Sequence, residues 1–281
     1  MKADPRFAAL PKSFWAAVRT VSQEVGYTAR GVNQVKIPKL EEIELAFNAL
    51  GLNSLHIVRN GKATKLAEQL LDYFSFRAAQ LNDYVRPRLM DVARASNVFN
   101  DLRKKYEPTC PIPLNKQKGE MRAPAFLTGI VNILIEEFSA GLPCVFDPRE
   151  LTTVTRDGLP LRTLSRRVDG AFPSAVNPIA IWEIKEYYYT TTFGSRVADG
   201  VYESLLDGLE LEELYDHESI KVLHYLMLDA YYTWWDCGKS YLCRIFDMLH
   251  MGYVDEVLFG FEVVERLPSI AAEWVALMAK K

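Results

Sequence analysis

A chain of 281 residues, 49% hydrophobic and 25% charged, with 15 glycines and 14 prolines, holds enough apolar material for one large domain or two small ones; disordered, fibrous and repeat proteins are excluded. The formal net charge of -3 does not suggest a nucleic-acid binder, but the charge is uneven: residues 86–122 carry nine bases against four acids, 149–167 five against two, and 199–218 eight acids with no Lys or Arg. An acidic total therefore leaves room for a basic groove, and the plain alternative is solvated helix faces of either sign.

The opening MKADPRF lacks the apolar core of a signal peptide, and the greasiest stretch, 126–135, is broken by Thr128 and Asn132 well short of a membrane span, so a soluble cytoplasmic protein with no membrane partner is expected. Cys110, Cys144, Cys237 and Cys243 form no CxxC pair and read as reduced packing residues. Apolar residues at three-to-four spacing predict helices over 13–25, 40–50, 63–82 and 89–106. Pro108, Pro111 and Pro113 then mark a boundary, which divides the chain into a helical region, 1–113, that grips DNA or dimerises, and a core, 114–281.

Beyond the prolines the spacing predicts a helix over 124–139, a strand at 143–146, a turn at Asp157-Gly158, and strands over 161–172 and 178–188. A helix follows whose stripe is Val197, Val201, Leu205 and Leu209, widened by Ala198, Tyr202 and Leu206, with the acids mostly on the other face. A central strand at 220–228, a helix at 239–249, a strand at 256–264 and a capped helix from Ser269 complete the chain. The fold class is α/β (α+β), an αβββαβ core with a mixed sheet flanked by helices and preceded by a helical region.

Asp169, in RRVDGAFP, is followed after thirteen residues by Glu183 and Lys185 in WEIKEYY, a D-(x)13-E-x-K arrangement. Side chains alternate along a strand, so Glu183 and Lys185 share a face about 6–7 Å apart, where a neighbouring strand can set Asp169 beside them. Two carboxylates converging with a lysine suit Mg²⁺, a hard cation that keeps waters for contact with a phosphate. The plain reading is a solvated face on which the three pair with one another. Against it, Ile179, Ile181, Trp182 and Ile184 indicate a strand covered on both sides, where charges are costly unless paired or coordinated.

These residues, in that element order, resemble the PD-(D/E)XK nuclease superfamily, in particular type II restriction endonucleases, over residues 124–228. Asp169 departs from the pattern in being preceded by valine instead of proline. The resemblance implies a restriction-endonuclease-like core, metal binding by Asp169 and Glu183, and a Lys185 that orients or activates the attacking water. It also implies a further acid from the helix before the first strand. By rotation Glu137 shares the arc of Phe126, Ile130, Ile133 and Leu134 and is preferred to Glu136.

The function expected is Mg²⁺-dependent hydrolysis of double-stranded DNA by a type II restriction enzyme acting as a homodimer, since one chain holds one such set and a duplex has two strands. Alternatives are a structure- or end-dependent repair or phage-defence nuclease of the same fold, and a catalytically silent DNA-binding protein. Phosphate-contacting candidates are Arg103, Lys104, Lys105, Lys116, Lys118, Arg166 and Arg167. His56, His217, His224 and His250 show no HExxH or HNH-like grouping, and no GxGxxG or Walker sequence occurs. Tyr231, Tyr232, Trp234 and Trp235 beside Lys239 read first as core packing and second as a base-stacking or dimer surface.

Overall fold

Amphipathic stripes in the first ninety residues bury themselves as helices. The computed structural model describes residues 1–29, 31–189 and 194–280, apart from the side chains of Ser195 and Arg196. Helix α1 (Lys12–Val25) buries Phe14, Trp15, Val18 and Val21, and α2 (Leu40–Ala49) buries Ile43, Ala46 and Phe47. Helix α3 (Lys65–Ala79) starts at Thr64, whose hydroxyl accepts from the Ala67 amide at 3.3 Å, and runs into a wider turn, Gln80–Val85. Asp91 caps α4 (Val92–Tyr106) by accepting from the Arg94 amide at 2.8 Å, which sets the start three residues later than the spacing alone predicts.

Helix α5 (Phe126–Phe138) leads into β1 (Val145–Phe146), a hairpin of β2 (Thr153–Arg156) and β3 (Leu159–Thr163), then β4 (Gly170–Phe172) and β5 (Ala180–Glu186). Helix α6 (Ser195–Glu218), β6 (Leu223–Asp229), α7 (Lys239–His250), β7 (Glu256–Phe259) and α8 (Glu262–Met278) follow. The main sheet is mixed, in the order β1-β4-β5-β6-β7, antiparallel from β1 to β5 and parallel from β5 to β7. Counting only its strands, the order from α5 to β6 is αβββαβ.

Two expected strands come out differently. The run 161–172 is split between β3 and β4, which lie in separate sheets. Asp157 and Gly158, at φ +52° and +79°, close the two-stranded hairpin, and the chain then crosses to the main sheet through Ser165, whose amide and hydroxyl bind the Glu210 carboxylate at 3.0 and 2.7 Å. The run 256–264 ends as strand at Phe259. Gly260, at φ +55°, turns the chain where a Cβ would collide with the Arg88 carbonyl, and α8 begins at Glu262, ahead of Ser269 and with Pro268 inside it.

Helices cover both faces of the sheet. Trp182, Tyr225, Met227 and Leu258 pack against α4, α5 and α8, where Trp182 stacks on Trp274 at 5.6 Å. Leu226, Leu228, Val257 and Phe259 pack against α7 and the N-terminal helices. Trp234 and Trp235 are buried in this second layer, and all four cysteines are free. Among the described residues no helix is long and apolar enough to cross a membrane.

Candidate active site on the third strand of the main sheet

Alternation along β5 sends Trp182 and Ile184 into the layer under α5 and α8, and Ile181, Glu183 and Lys185 toward α6. Glu183 is 0% and Lys185 8% exposed. The β4–β5 register pairs Gly170 with Trp182, which brings Asp169, one residue earlier, alongside Glu183. Its amide donates to the Trp182 carbonyl at 3.1 Å, and its Oδ2 accepts from the Ile184 amide at 2.7 Å while the side chain keeps an exposed edge. The structure thus brings Asp169, Glu183 and Lys185 together.

Three further charged residues complete the cluster. Arg166 Nη1 lies 2.9 Å from Glu183 Oε1 and 2.6 Å from Asp207 Oδ2, and its Nη2 lies 3.1 Å from Glu183 Oε2 and 3.4 Å from Glu203 Oε2. Lys185 Nζ donates to Glu183 Oε2 at 2.7 Å and Glu203 Oε2 at 2.8 Å. Glu203 and Asp207 stand one turn apart on α6 and so face the same way. Gly200, a turn before Glu203, leaves room for the lysine stem: a Cβ there would lie 3.2 Å from Lys185 Cδ and 2.9 Å from the Tyr187 hydroxyl.

Four carboxyl groups therefore meet two cations. Burial and the adjacent Glu183 charge push the Asp169 carboxyl up to about 6, and the same two causes push Asp207 up to about 7. Burial alone would raise Glu183 too, but Lys185 and Arg166 outweigh it and hold that carboxyl below its ordinary value. Burial would likewise pull Lys185 down, yet Glu183 and Asp169 win and keep it an ammonium well above neutral pH. Glu183 Oε1, which meets Arg166 outside hydrogen-bond geometry, and Asp207 Oδ1 receive no hydrogen bond.

Helix α6 is rotated relative to the stripe expected from its large apolar residues. Tyr202, Leu206 and Leu209 are exposed, while Ser204, Asp207, Gly208, Leu211 and Leu214 face inward. Gly200 lets the helix approach β5 and Gly208 lets it approach the Tyr253 backbone, and the acids there meet Arg166, Lys185 and Ser165. Sequence reasoning missed Glu203, Asp207 and Glu210; the available signal was their three-to-four spacing in line with Gly200.

Glu137 is exposed in the last turn of α5, beyond the layer that covers its arc, and Glu136 accepts from the Thr109 amide at 3.0 Å. The acid that touches α5 comes from β5: Glu186 Oε2 accepts from the Thr128 amide at 3.0 Å at the N-terminus of that helix, and burial pushes this carboxyl up to about 7. Beside it in register, buried Asp229 accepts from the Met90 amide at 2.7 Å and the Tyr188 hydroxyl at 2.6 Å. Of the expected phosphate contacts, Arg103, Lys104, Lys105, Lys116, Lys118 and Arg167 are exposed, whereas Arg166 is turned inward by the carboxylates. Among the described residues no three His, Cys, Asp or Glu side chains stand ready-grouped for a metal ion.

No curated protein and no solved structure matches the chain. The family model described as Domain of unknown function (DUF7690) matches residues 1–84, the helical region up to the end of the α3 extension. That described as Domain of unknown function (DUF7687) matches residues 90–274, well over half of the chain and all of the sheet and the charged cluster, and the chain belongs to this family.

Proposed function

We propose that the chain is a Mg²⁺-dependent endonuclease that hydrolyses phosphodiester bonds of double-stranded DNA at Asp169, Glu183 and Lys185, with a type II restriction enzyme of the PD-(D/E)XK class as the leading form. The observation that carries this reading is the cross-strand pairing of Asp169 with Glu183, with Lys185 two residues on along the same face, within an αβββαβ order. The donor set suits a hard divalent cation. Carboxyl groups exceed cations by two, Asp169 has an open edge, and one buried carboxylate oxygen, Asp207 Oδ1, receives no hydrogen bond, while Glu183 Oε1 has only its ion pair with Arg166.

Asp169 and Glu183 would hold Mg²⁺, which when bound supplies Lewis-acid stabilisation of the charge that grows on the phosphate. Lys185, kept protonated by its carboxylate neighbours, has one N–H left beyond those it gives Glu183 and Glu203 and would use it to orient the attacking water, whose proton would pass to solvent while the leaving 3′ oxygen takes one up. Arg166 is a positioning residue that neutralises Glu183 and Asp207 behind the lysine. Two such sites in a twofold homodimer would cut the two strands of a palindromic sequence. An excess of Lys185→Ala chains mixed with wild type should then give mainly nicked circles.

One observation favours the catalytically silent reading: Glu183 is engaged by Arg166 and Lys185 together, without a third acid grouped for metal. Digestion of a plasmid with Mg²⁺ separates the readings. Discrete fragments support the restriction enzyme, smears or end-dependent loss support a repair or phage-defence nuclease, and binding without cleavage supports the silent protein. Absence of cleavage under all these conditions would overturn the nuclease proposal, and absence of binding as well would remove the silent reading with it.

A further inference from the structure

A cleft of about 540 Å³ lies between α1, α6 and α7, on the side of the sheet that the N-terminal helices cover and apart from the Glu183 cluster. Its lining includes Arg19, Ser22, Gln23, Tyr27, Tyr202 and Arg244. We propose that it binds a phosphorylated nucleoside. This inference goes beyond the nuclease reading and stands whether or not that reading holds.

The first reason is charge. Asp247, the carboxylate at the floor, is already committed to Arg77, at 3.0 and 3.1 Å, and to the Tyr73 hydroxyl, at 2.6 Å. Arg19 Nη2 has Met251 Sδ as its contact at 3.5 Å, and Arg244 Nη1 has the Tyr202 hydroxyl at 3.2 Å. Among the described residues neither guanidinium makes an ion pair with a carboxylate. Two arginines that line one cleft whose acid is already paired with Arg77 leave a positive surplus, and the planar guanidinium fork matches a phosphate.

The second reason is the aromatic wall. Tyr27 and Tyr202 stand at the same opening, Tyr202 with 53% of its surface exposed. The Arg244 guanidinium carbon sits 5.7 Å from the Tyr27 ring and 5.0 Å from the Tyr241 ring. Arg244 already covers a face of Tyr27, so the exposed Tyr202 ring is the face that accepts the π-surface of a base, and the Gln23 amide offers a donor and an acceptor to its edge. Inorganic phosphate alone would not use the tyrosines, and an apolar ligand would strip water from two guanidinium groups with nothing in return. The volume lies within the range of small-molecule sites.

The test is calorimetric titration of the full chain with the ribo- and deoxyribonucleoside monophosphates, the matching nucleosides, inorganic phosphate and a short single-stranded oligonucleotide. At least one mononucleotide should bind, with its nucleoside and phosphate alone each weaker by about tenfold or more. Arg244→Met should weaken the nucleotide by about tenfold or more and leave nucleoside binding unchanged. Arg19→Met, an exposed change that the fold tolerates, should act the same way and decides the matter if the first variant fails to fold. Tighter binding of the oligonucleotide, with the same arginine dependence, would assign the site to a nucleotide within a strand. No binding of any nucleotide or of the oligonucleotide up to about 10 mM, or binding equal for nucleoside and nucleotide and indifferent to both arginines, would overturn the proposal.

Discussion

Two buried ionic clusters lie on the same side of the sheet, and they differ in the balance of their charges. In one, Arg77 of α3 meets Asp247 of α7 with the Tyr73 hydroxyl as a third partner, and the ion-pair side chains are 1% and 5% exposed. One cation faces one anion, almost fully covered, joining the N-terminal helices to the core. In the other, Asp169, Glu183, Glu203 and Asp207 face Arg166 and Lys185, and Asp169 and Glu203 reach solvent. Burial of charge is common to both and therefore does not mark a site. A surplus of two carboxyl groups over cations with an open edge does, because once ionised it is a demand for a cation that the chain itself does not meet.

The sharpest way to break that distinction is to mutate each cluster and read two quantities. Asp169→Asn, Glu183→Gln and Lys185→Met should each lower plasmid cleavage by about a thousandfold or more, roughly 4 kcal/mol of transition-state stabilisation. Asp169→Asn, at the exposed edge, should leave the melting temperature within a few degrees of wild type. Cleavage at the wild-type rate by any of the three would remove that residue from the site. Arg77→Met should behave oppositely. It strands Asp247 in the core and should cost about 3–5 kcal/mol in urea unfolding, with cleavage retained wherever the variant is folded. A cost below about 1 kcal/mol would show that the covered pair is not structural.

Acidity offers a finer probe of the surplus. The folded state holds the Asp169 proton up to about pH 6 and the Asp207 proton up to about pH 7, whereas an unfolded chain releases both near 3.9. Between those values the folded state binds more protons, so the stability these two groups contribute is fully present below about pH 4 and is lost as pH rises through 6 and 7. Melting temperatures from pH 4 to 8 should show this decline, and Asp207→Asn should flatten its upper half. Mg²⁺ binding, if Asp169 is the ligand we propose, should tighten over the same window, since that carboxyl must shed a proton. A decline that Asp207→Asn leaves untouched would separate that residue from the cluster's charge balance.

The strand that carries Glu183 and Lys185 was legible because its rules are local. An E-x-K on an apolar run puts both side chains on one face, and an Asp-Gly just before a neighbouring strand supplies the cross-strand partner. The phase of α6 was not, because large apolar residues such as Leu206 and Leu209 outvote Gly200, Ser204 and Gly208 in any periodicity argument, although the small residues allow the close approach. Asp207 faces inward beside Arg166, 41 positions away, and no window along the chain contains that pairing. Glu137 is exposed for a related reason. Periodicity extends an arc to the end of a helix, but the packing layer ends before it does.

The smallest expected effect lies on the surface, at Lys104 and Lys105 in the last turn of α4, where both ammonium groups are exposed. There they serve the helix in the ordinary way, since positive charge near a C-terminus offsets the partial negative charge of its carbonyls, and reversing both to Glu should cost no more than about 1 kcal/mol of stability. On DNA the same change should be larger and uniform. Each lost phosphate contact removes roughly one counterion from those released, so the slope of log affinity against log salt should fall by about two, equally for any duplex sequence. Anisotropy titrations with two unrelated duplexes at several salt concentrations read both numbers. A slope reduced by two on both duplexes puts the C-terminus of α4 against the DNA backbone. A loss confined to one duplex puts the lysines at base edges, and an unchanged slope returns them to the solvated helix face that the sequence also allows.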